Sequence, residues 1–203
     1  MADLAGLRAE VLSRLGLPDD DGMAASGDLD RAINAALTEY TVEGDWPWLA
    51  TETTITTAAN DGLYPLPAGF LRGLYAYIGD QELQFRSAGE LIVYAQDTDQ
   101  PRYITGGVGQ LKLVPTPNGA YSVVFGYVQS EAELVDDTDT PLLPAAYHDY
   151  LVVKAARKMA ERIRDGDLLQ MLRASEQEWY IKLKGDQRRT ASLGRIRTFF
   201  RGV

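Results

Sequence analysis

The sequence predicts an α+β fold in which helices at both ends of the chain enclose a small β domain. Apolar residues recur with the 3.6-residue helical period near both ends, the period falls to two in the middle, and Gly-Asp, Gly-Gly and Asn-Gly turn signals interrupt that middle segment. We therefore expect a helical bundle from residues 1–48 and 141–185. The inserted part, 49–135, should be a small antiparallel β-sandwich or barrel, followed by a basic C-terminal arm over 186–203.

Composition excludes several classes of site. The chain has 203 residues, 45% hydrophobic and 24% charged, which is typical of one folded domain or a domain with an insertion. Cysteine is absent, so disulfides, thiolate nucleophiles and cysteine-bound metals are excluded. His148 is the single histidine, so a catalytic triad would have to use that one ring. We expect no metal and no cofactor.

The N-terminus gives no sign of export or membrane insertion. No run approaches the roughly 20 apolar residues of a membrane span, and the first residues lack a basic segment followed by an apolar one. We expect a soluble, unsecreted protein without a membrane partner.

Two helices are predicted before the β domain. Leucines and Val11 at helical spacing predict a first helix that stops at Gly16. A second helix is expected to begin with Asp28 as its capping residue and to end at Gly44.

Trp46 and Trp48 follow the second helix, on either side of a proline. Two large aromatic residues at this point predict packing at the structural junction between the helical and β parts. Stacking on a sugar or a base is the alternative.

The middle segment is rich in β-branched residues and alternates in polarity. In the last predicted strand, Tyr121, Val123, Phe125 and Tyr127 should share one face. A helical excursion is considered over residues 87–94. The predicted strands lie near residues 51–57, 74–78, 83–86, 103–105, 110–114 and 121–128.

The helical period returns after an acidic spacer. Pro144 suits a helix start, and Asp165 or Asp167 can cap a further helix that should end near Gly185. The predicted apolar faces are Tyr147, Leu151, Ala155, Met159 and Ile163, then Leu168, Leu172, Ser175, Trp179 and Leu183.

Candidate catalytic and ligand motifs favour structural interpretations. His148 and Asp149 are adjacent in a predicted helix and so point about 100° apart, which disfavours a base with its orienting carboxylate. The glycines at 106, 107 and 109 link two predicted strands, so we expect a turn and not a phosphate loop. The acidic clusters at 19–21, 97–99 and 136–139 lack the spacing of a calcium loop.

Charge is divided unevenly along the chain. Residues 1–150 carry 7 basic and 23 acidic residues, a balance of −16, whereas residues 151–203 carry 13 and 6, a balance of +7. From Lys182 onward there are 7 basic residues and 1 acidic residue, interspersed with apolar ones.

This basic segment predicts an arm that folds on binding an acidic, partly apolar groove of another protein. Phosphate binding is disfavoured because the rest of the chain is acidic, and solvated disorder remains an alternative. The candidate partner-binding residues are Arg188, Arg189, Arg195, Ile196, Arg197, Phe199, Phe200 and Arg201.

Several motifs, taken in order, make the chain resemble the head-to-tail adaptor proteins of tailed bacteriophages. These are also called connector or head completion proteins. The resemblance covers about residues 28–165. Its motifs are Leu29-Asp30-Arg31-Ala32-Ile33-Asn34-Ala35-Ala36, Asp45-Trp46-Pro47-Trp48-Leu49, Tyr64-Pro65-Leu66-Pro67, Leu111-Lys112-Leu113-Val114-Pro115-Thr116-Pro117-Asn118-Gly119 and Leu143-Pro144-Ala145-Ala146-Tyr147-His148.

The resemblance implies a structural protein without catalytic activity. It implies a ring, usually of twelve subunits, beneath the portal in the virion neck, assembled in the host cytoplasm and joined to further neck or tail proteins. In such a family the C-terminal segment commonly docks on the portal protein, and DNA passes through the lumen without sequence-specific binding. The alternatives are a β-sandwich that binds carbohydrate or a cell surface through Trp46, Trp48 and exposed tyrosines, and a hydrolase built on His148.

Overall fold

The computed structural model describes residues 2–18, 27–91, 97–107 and 109–199, with side chains up to residue 187. The chain forms two compact units. The helical unit comprises Met1–Trp48 and Glu131–Val203, and the β unit comprises Leu49–Ser130. The predicted α+β class, with terminal helices and sheets between them, is confirmed.

The third helix is the centre of the helical unit. The helices are α1 (Leu4–Leu15), α2 (Asp28–Glu43), α3 (His148–Ile163) and α4 (Gly166–Phe199). Helix α3 packs against each of the other three, and its residues 150–153 are all buried. A helix buried on so many sides aligns its neighbours, because each buries its own apolar stripe against it.

The ends of α1 follow from local sequence. The Asp3 carboxylate accepts a 2.9 Å hydrogen bond from the Gly6 amide and caps the helix. Gly16 ends it with a φ of 68°, a left-handed conformation that glycine adopts without strain. The predicted stop at Gly16 is confirmed.

The capping role predicted for Asp28 is wrong. Helix α2 starts after Gly27 and has no side-chain cap, and the buried Asp28 carboxylate instead pairs with Arg31 and, at 2.6 Å, with Arg162 of α3. The ion pair prevails because a buried carboxylate is stabilised more by a cation than by an amide.

Helix α4 begins as predicted but extends further. The Asp165 carboxylate accepts a 3.0 Å hydrogen bond from the Leu168 amide and caps it. The expected end near Gly185 is wrong, because α4 continues without a break to Phe199. An interior glycine costs a helix only about 1 kcal/mol, which the good helix formers around Gly185 offset. Ile163, predicted on the buried face of α3, is exposed.

The β unit contains two four-stranded sheets and a small third one. The sheet orders are β1-β10-β3-β4, β2-β8-β7-β5 and β6-β9. The strands are β1 Ala50–Thr56, β2 Leu63–Pro65, β3 Phe70–Ile78, β4 Gln81–Glu82, β5 Gln84–Phe85, β6 Thr98–Asp99, β7 Tyr103–Gly107, β8 Gln110–Val114, β9 Thr116–Pro117 and β10 Ser122–Gln129.

Most of these strands pair antiparallel, as expected, but β5 with β7 and β6 with β9 pair in parallel. Each parallel pair has only two residues per strand, too few for a sequence period to indicate direction. The sequence analysis considered a helix over residues 87–94. Residues 88–91 form a turn, and residues 92–94 lie outside the described residues.

Strand β10 supplies much of the core of the β unit. Val123, Phe125 and Tyr127 are buried and face the other core residues, as the alternation predicted, while Tyr121 is half-buried. On the opposite face, the ring of Tyr75 from β3 covers Gly126, its cross-strand neighbour. The Tyr75 hydroxyl donates a hydrogen bond to Glu52 of β1, so one side chain ties three adjacent strands.

Replacing Gly126 should destabilise the β unit. A β-carbon at Gly126 would lie only 2.3 Å from Cζ of Tyr75 and would force that ring away from Glu52. We expect Gly126→Ala to lower the free energy of unfolding by about 1–3 kcal/mol, measured by chemical denaturation. Gly119→Ala is the matched control because a β-carbon there meets no neighbour. An equal effect of both substitutions would contradict this account.

Candidate docking helix

A buried ion cluster fastens α4 to the helical unit. Lys154 of α3 is 2% exposed, and its ammonium donates to Glu43 Oε1 of α2 at 2.6 Å and to Glu176 Oε1 of α4 at 3.0 Å. Glu39 Oε2 of α2 lies 3.3 Å from the same nitrogen. One cation therefore contacts carboxylates from two other helices. We call Lys154, Glu39, Glu43 and Glu176 the Lys154 cluster.

Lys154 keeps its positive charge although it is buried. Burial by itself would lower the pKa of Lys154, but hydrogen bonds and charge from Glu43 and Glu176 outweigh it and raise that pKa. The Tyr150 hydroxyl donates a 2.5 Å hydrogen bond to Glu43 Oε2, and burial, reinforced by this carboxylate, raises the pKa of Tyr150. Lys154 is therefore a cation and Tyr150 a neutral donor at physiological pH.

A second contact joins α4 to the end of α2. Lys184 of α4 donates a 3.1 Å hydrogen bond to the Glu43 carbonyl oxygen, and its ammonium lies 4.6 Å from the centre of the Trp46 ring. A cation over an indole face is attracted by the ring quadrupole.

The two predicted junction tryptophans pack as a stack within the helical unit. Trp46 is 1% exposed, and its indole nitrogen donates a 2.6 Å hydrogen bond to the Tyr40 carbonyl oxygen. Trp48 stacks between Trp46 and Tyr147 at ring distances of 5.4 and 5.7 Å. Their position between helical and β parts stays a prediction. Because Trp46 is buried, it offers no open face to a sugar, which counts against the carbohydrate alternative.

The described side-chain contacts of α4 extend to residue 187. The Tyr147 hydroxyl donates a 2.9 Å hydrogen bond to Asp186, and the Gln187 amide donates to the Asp45 carbonyl oxygen. The helical backbone then continues over 188–199, a length of about 18 Å at 1.5 Å per residue. The first two residues of the predicted arm thus contact the helical unit.

The candidate partner-binding residues are distributed as follows. Arg188, Arg189, Arg195, Ile196, Arg197 and Phe199 lie on the backbone of α4. Phe200 and Arg201 lie outside the described residues. The sequence predicted an arm that folds on binding a partner, and the structure places six of the eight residues on the continuous backbone of α4. Their role in binding stays a prediction.

His148 has a structural contact at the start of α3. It is 5% exposed, and its Nε2 lies 2.9 Å from the Leu143 carbonyl oxygen. The neighbouring Asp149 instead pairs with Arg14 of α1 at 3.7 Å. The two residues do not form a base with its orienting carboxylate, which disfavours the hydrolase alternative.

The acidic spacer is held by its own side chains. The Asp139 carboxylate accepts hydrogen bonds from the Val135 and Asp136 amides, both at 2.8 Å, and these bonds lower the pKa of Asp139. Within the described residues, no group of three or more acidic or histidine side chains is arranged to hold a metal ion. In that same part of the chain, no helix is long and apolar enough to cross a membrane.

Glu131 connects α2 to the segment before α3. It accepts hydrogen bonds from the Tyr40 hydroxyl and from the amides of Leu142 and Leu143, the last at 3.2 Å. Burial raises the pKa of Glu131, although these donors act in the opposite direction. Ionisation of this carboxyl is thus less favourable in the folded protein than in water.

Sequence reasoning missed the Lys154 cluster. A signal was available, because Lys154 interrupts the apolar run from Leu151 to Ala156 and lies on the side of α3 that faces the core. Glu39 and Glu43 are four residues apart and so share one face of α2. Which carboxylates meet Lys154 depends on helix packing, which a periodic pattern does not specify.

Removing the cation of the cluster should destabilise the helical unit. Lys154→Met removes the cation paired with the partly buried Glu43, whereas Glu176 keeps Arg157 at 2.5 Å, so we expect a loss of about 1–3 kcal/mol in the free energy of unfolding. The exposed Lys182→Met is the control, with an expected change within about 1 kcal/mol. Adding Glu43→Gln to Lys154→Met should recover part of the loss, whereas Glu176 is kept because it also pairs with Arg157. No recovery would show that lost packing, and not unpaired charge, causes the effect.

Glu131 should make stability depend on pH. Its folded pKa lies above the ordinary value of 4.5, so the folded state holds more protons, and stability falls as pH rises from 4.5 through the raised pKa. Glu131→Gln cannot ionise. We expect the free energy of unfolding of this variant, relative to the unmodified protein, to increase through that window and then level off. Chemical denaturation at a series of pH values measures this difference in the free energy of unfolding, and Glu133→Gln, at an exposed position, is the control. A difference for Glu131→Gln that does not change with pH would refute the account.

Comparison with known proteins gives one family. The family model described as SU10 adaptor protein matches residues 2–198. A search of the curated proteins finds no match.

Proposed function

Since the chain belongs to the SU10 adaptor protein family, a family of phage head-to-tail adaptors, we propose that it forms a ring beneath the portal and joins capsid to tail. The family is structural and is not a class of enzymes. It implies contacts with portal and tail proteins and a location in the virion neck. The proposal adds the ring, the joining role and the part of the chain that contacts the portal.

The course of α4 is the observation that carries the proposal. The Lys154 cluster and Lys184 fasten α4 to α2 and α3, and the helix then continues for twelve residues beyond its last described side-chain contact. A helix fixed at one end loses less conformational freedom on docking than a disordered arm, so less of the interaction free energy is lost in ordering it. This segment, 188–199, is called the α4 extension.

The sequence of the α4 extension suits a protein partner. At 100° per residue, positions 190, 191, 194 and 198, all Thr, Ala or Gly, fall on one side of the helix. The remaining eight positions carry four arginines together with Ser192, Leu193, Ile196 and Phe199. A helix with this composition fits an acidic groove with apolar pockets, in the manner of helix-in-groove recognition. We propose that the portal protein supplies that groove.

Ring contacts are proposed to come from the helical unit and the flank of the β unit. In the helical unit, Val42 of α2 is 71% exposed and Ile181 of α4 is 61% exposed, and both border one groove of 890 Å³. Exposed apolar side chains around one groove support a protein contact there. The expected number of subunits is twelve, by resemblance to phage adaptors.

The acidic body suits a ring through which DNA passes. Residues 1–150 carry a balance of −16, so a lumen lined by this part of the chain would repel the phosphate backbone. We propose that DNA moves through the lumen without sequence-specific binding.

Shortening the chain after Gln187 tests the portal contact. This cut removes the α4 extension and the four residues after it but keeps Lys184, Asp186 and Gln187, which contact the helical unit. We expect the shortened chain to stay folded and to lose stoichiometric binding to a portal ring, measured by native mass spectrometry. The full-length chain with Arg188, Arg189, Arg195 and Arg197 replaced by Gln is the companion variant, and it should bind more weakly. Unchanged affinity after the cut would refute the proposal.

A further inference from the structure

The residues directly after α2 hold the part of α4 that precedes the α4 extension. Two backbone carbonyl oxygens accept hydrogen bonds from α4: that of Glu43 from the Lys184 ammonium at 3.1 Å, and that of Asp45 from the Gln187 amide. Gly44 lies between them, and a β-carbon there would be too close to Lys184 Nζ for both to keep their positions. The close approach of α4 therefore depends on glycine at 44. We call Glu43, Gly44 and Asp45 the α4 seat.

Tyr147, directly before α3, adds a contact to the same part of α4. Its hydroxyl donates a 2.9 Å hydrogen bond to Asp186 Oδ2, and its ring stacks on Trp48 at 5.7 Å. A hydrogen bond to a carboxylate contributes more stability than one between neutral groups. Together the α4 seat and Tyr147 hold three of the four residues at 184–187.

The fourth residue, Gly185, is the least favourable for a helix. A β-carbon at Gly185 would meet no atom within 4 Å, so neither packing nor a close approach requires glycine there. Glycine is the poorest helix former after proline, because its backbone loses the most conformational freedom. The helical turn around Gly185 is therefore supported by the contacts on both sides of it.

The first turn of the α4 extension bonds directly to this held part. Each amide of an α-helix donates to the carbonyl oxygen four residues earlier, so the amides of 188–191 bond to the carbonyls of 184–187. A helix of about twelve residues is only marginally stable in water by itself. The α4 extension also contains weaker helix formers than alanine, namely Thr190, Ser192, Gly194 and Thr198. It therefore needs an existing turn from which to continue.

We infer that the α4 extension is helical only while residues 184–187 are held by the α4 seat and Tyr147. Nucleation is the costly step of helix formation, so releasing 184–187 removes the turn on which the extension is built. Tyr147 is then a positioning residue for the extension, which it does not need to touch. The inference concerns the free chain, and only its consequence for portal binding rests on the proposed function.

Tyr147→Phe tests the inference because it removes the hydrogen bond to Asp186 and keeps the ring that stacks on Trp48. We expect the amides of 188–191 to exchange with deuterated water about five-fold faster, the factor that corresponds to one typical hydrogen bond. The amides of α3 should be unchanged. Tyr121→Phe is the matched control, since it removes a tyrosine hydroxyl hydrogen bond, to Asn118, in the β unit. Unchanged exchange at 188–191, or equal acceleration throughout α3, would overturn the inference.

Gly185→Ala tests the inference in the opposite direction. Its β-carbon meets no neighbour, so the fold should be kept, and the better helix former should slow the exchange of the same amides about five-fold. Combined with Tyr147→Phe, it should return their exchange close to that of the unmodified protein. Exchange at 188–191 that is no slower in Gly185→Ala would contradict the inference.

Portal binding is a separate measurement on the same variants. Native mass spectrometry with a portal ring should show weaker binding of Tyr147→Phe and tighter binding of Gly185→Ala, because less interaction free energy is lost in ordering a formed helix. The expected changes in exchange without any change in portal binding would support the inference and count against the proposed portal contact. Altered portal binding with unchanged exchange would overturn the inference.

Discussion

One buried cation organises the helical unit. Lys154 extends from α3 into a space bounded by carboxylates of α2 and α4, and the partly buried Glu43 in particular would be costly to bury without it. A hydrophobic contact tolerates small shifts of one helix along another, whereas an ammonium group with defined partners fixes both register and rotation. The direction of α4 relative to α2 and α3 therefore depends on this cluster.

The proposed function requires α4 to have a fixed direction relative to the rest of the helical unit. A helix that docks on a partner must leave its own body at a fixed angle, and in a ring this angle must be the same in every subunit. The Lys154 cluster near the middle of α4, together with Lys184 and Gln187 further along, provides contacts at several points along the helix. The charge on Lys154 that holds α4 is buried and paired.

The β unit follows a different principle. Its core comes from alternating residues of β10 and their neighbours, and Tyr75 covers a glycine and reaches across to β1. These contacts complete the sheet on one side and leave the long edge of β1 open.

The sequence by itself determined the α+β class, the stop of α1 at Gly16 and the alternation of β10, and it narrowed the cap of α4 to Asp165 or Asp167, because each depends on local backbone preference or on a short period. Tertiary structure decided the rest. Asp28 pairs with cations instead of capping its helix, α4 continues through Gly185, and short strands pair in parallel. The same holds for Lys154, whose partners on α2 and α4 are 111 and 22 residues away along the chain. Such contacts depend on which surfaces meet after the chain folds, and no local pattern encodes that.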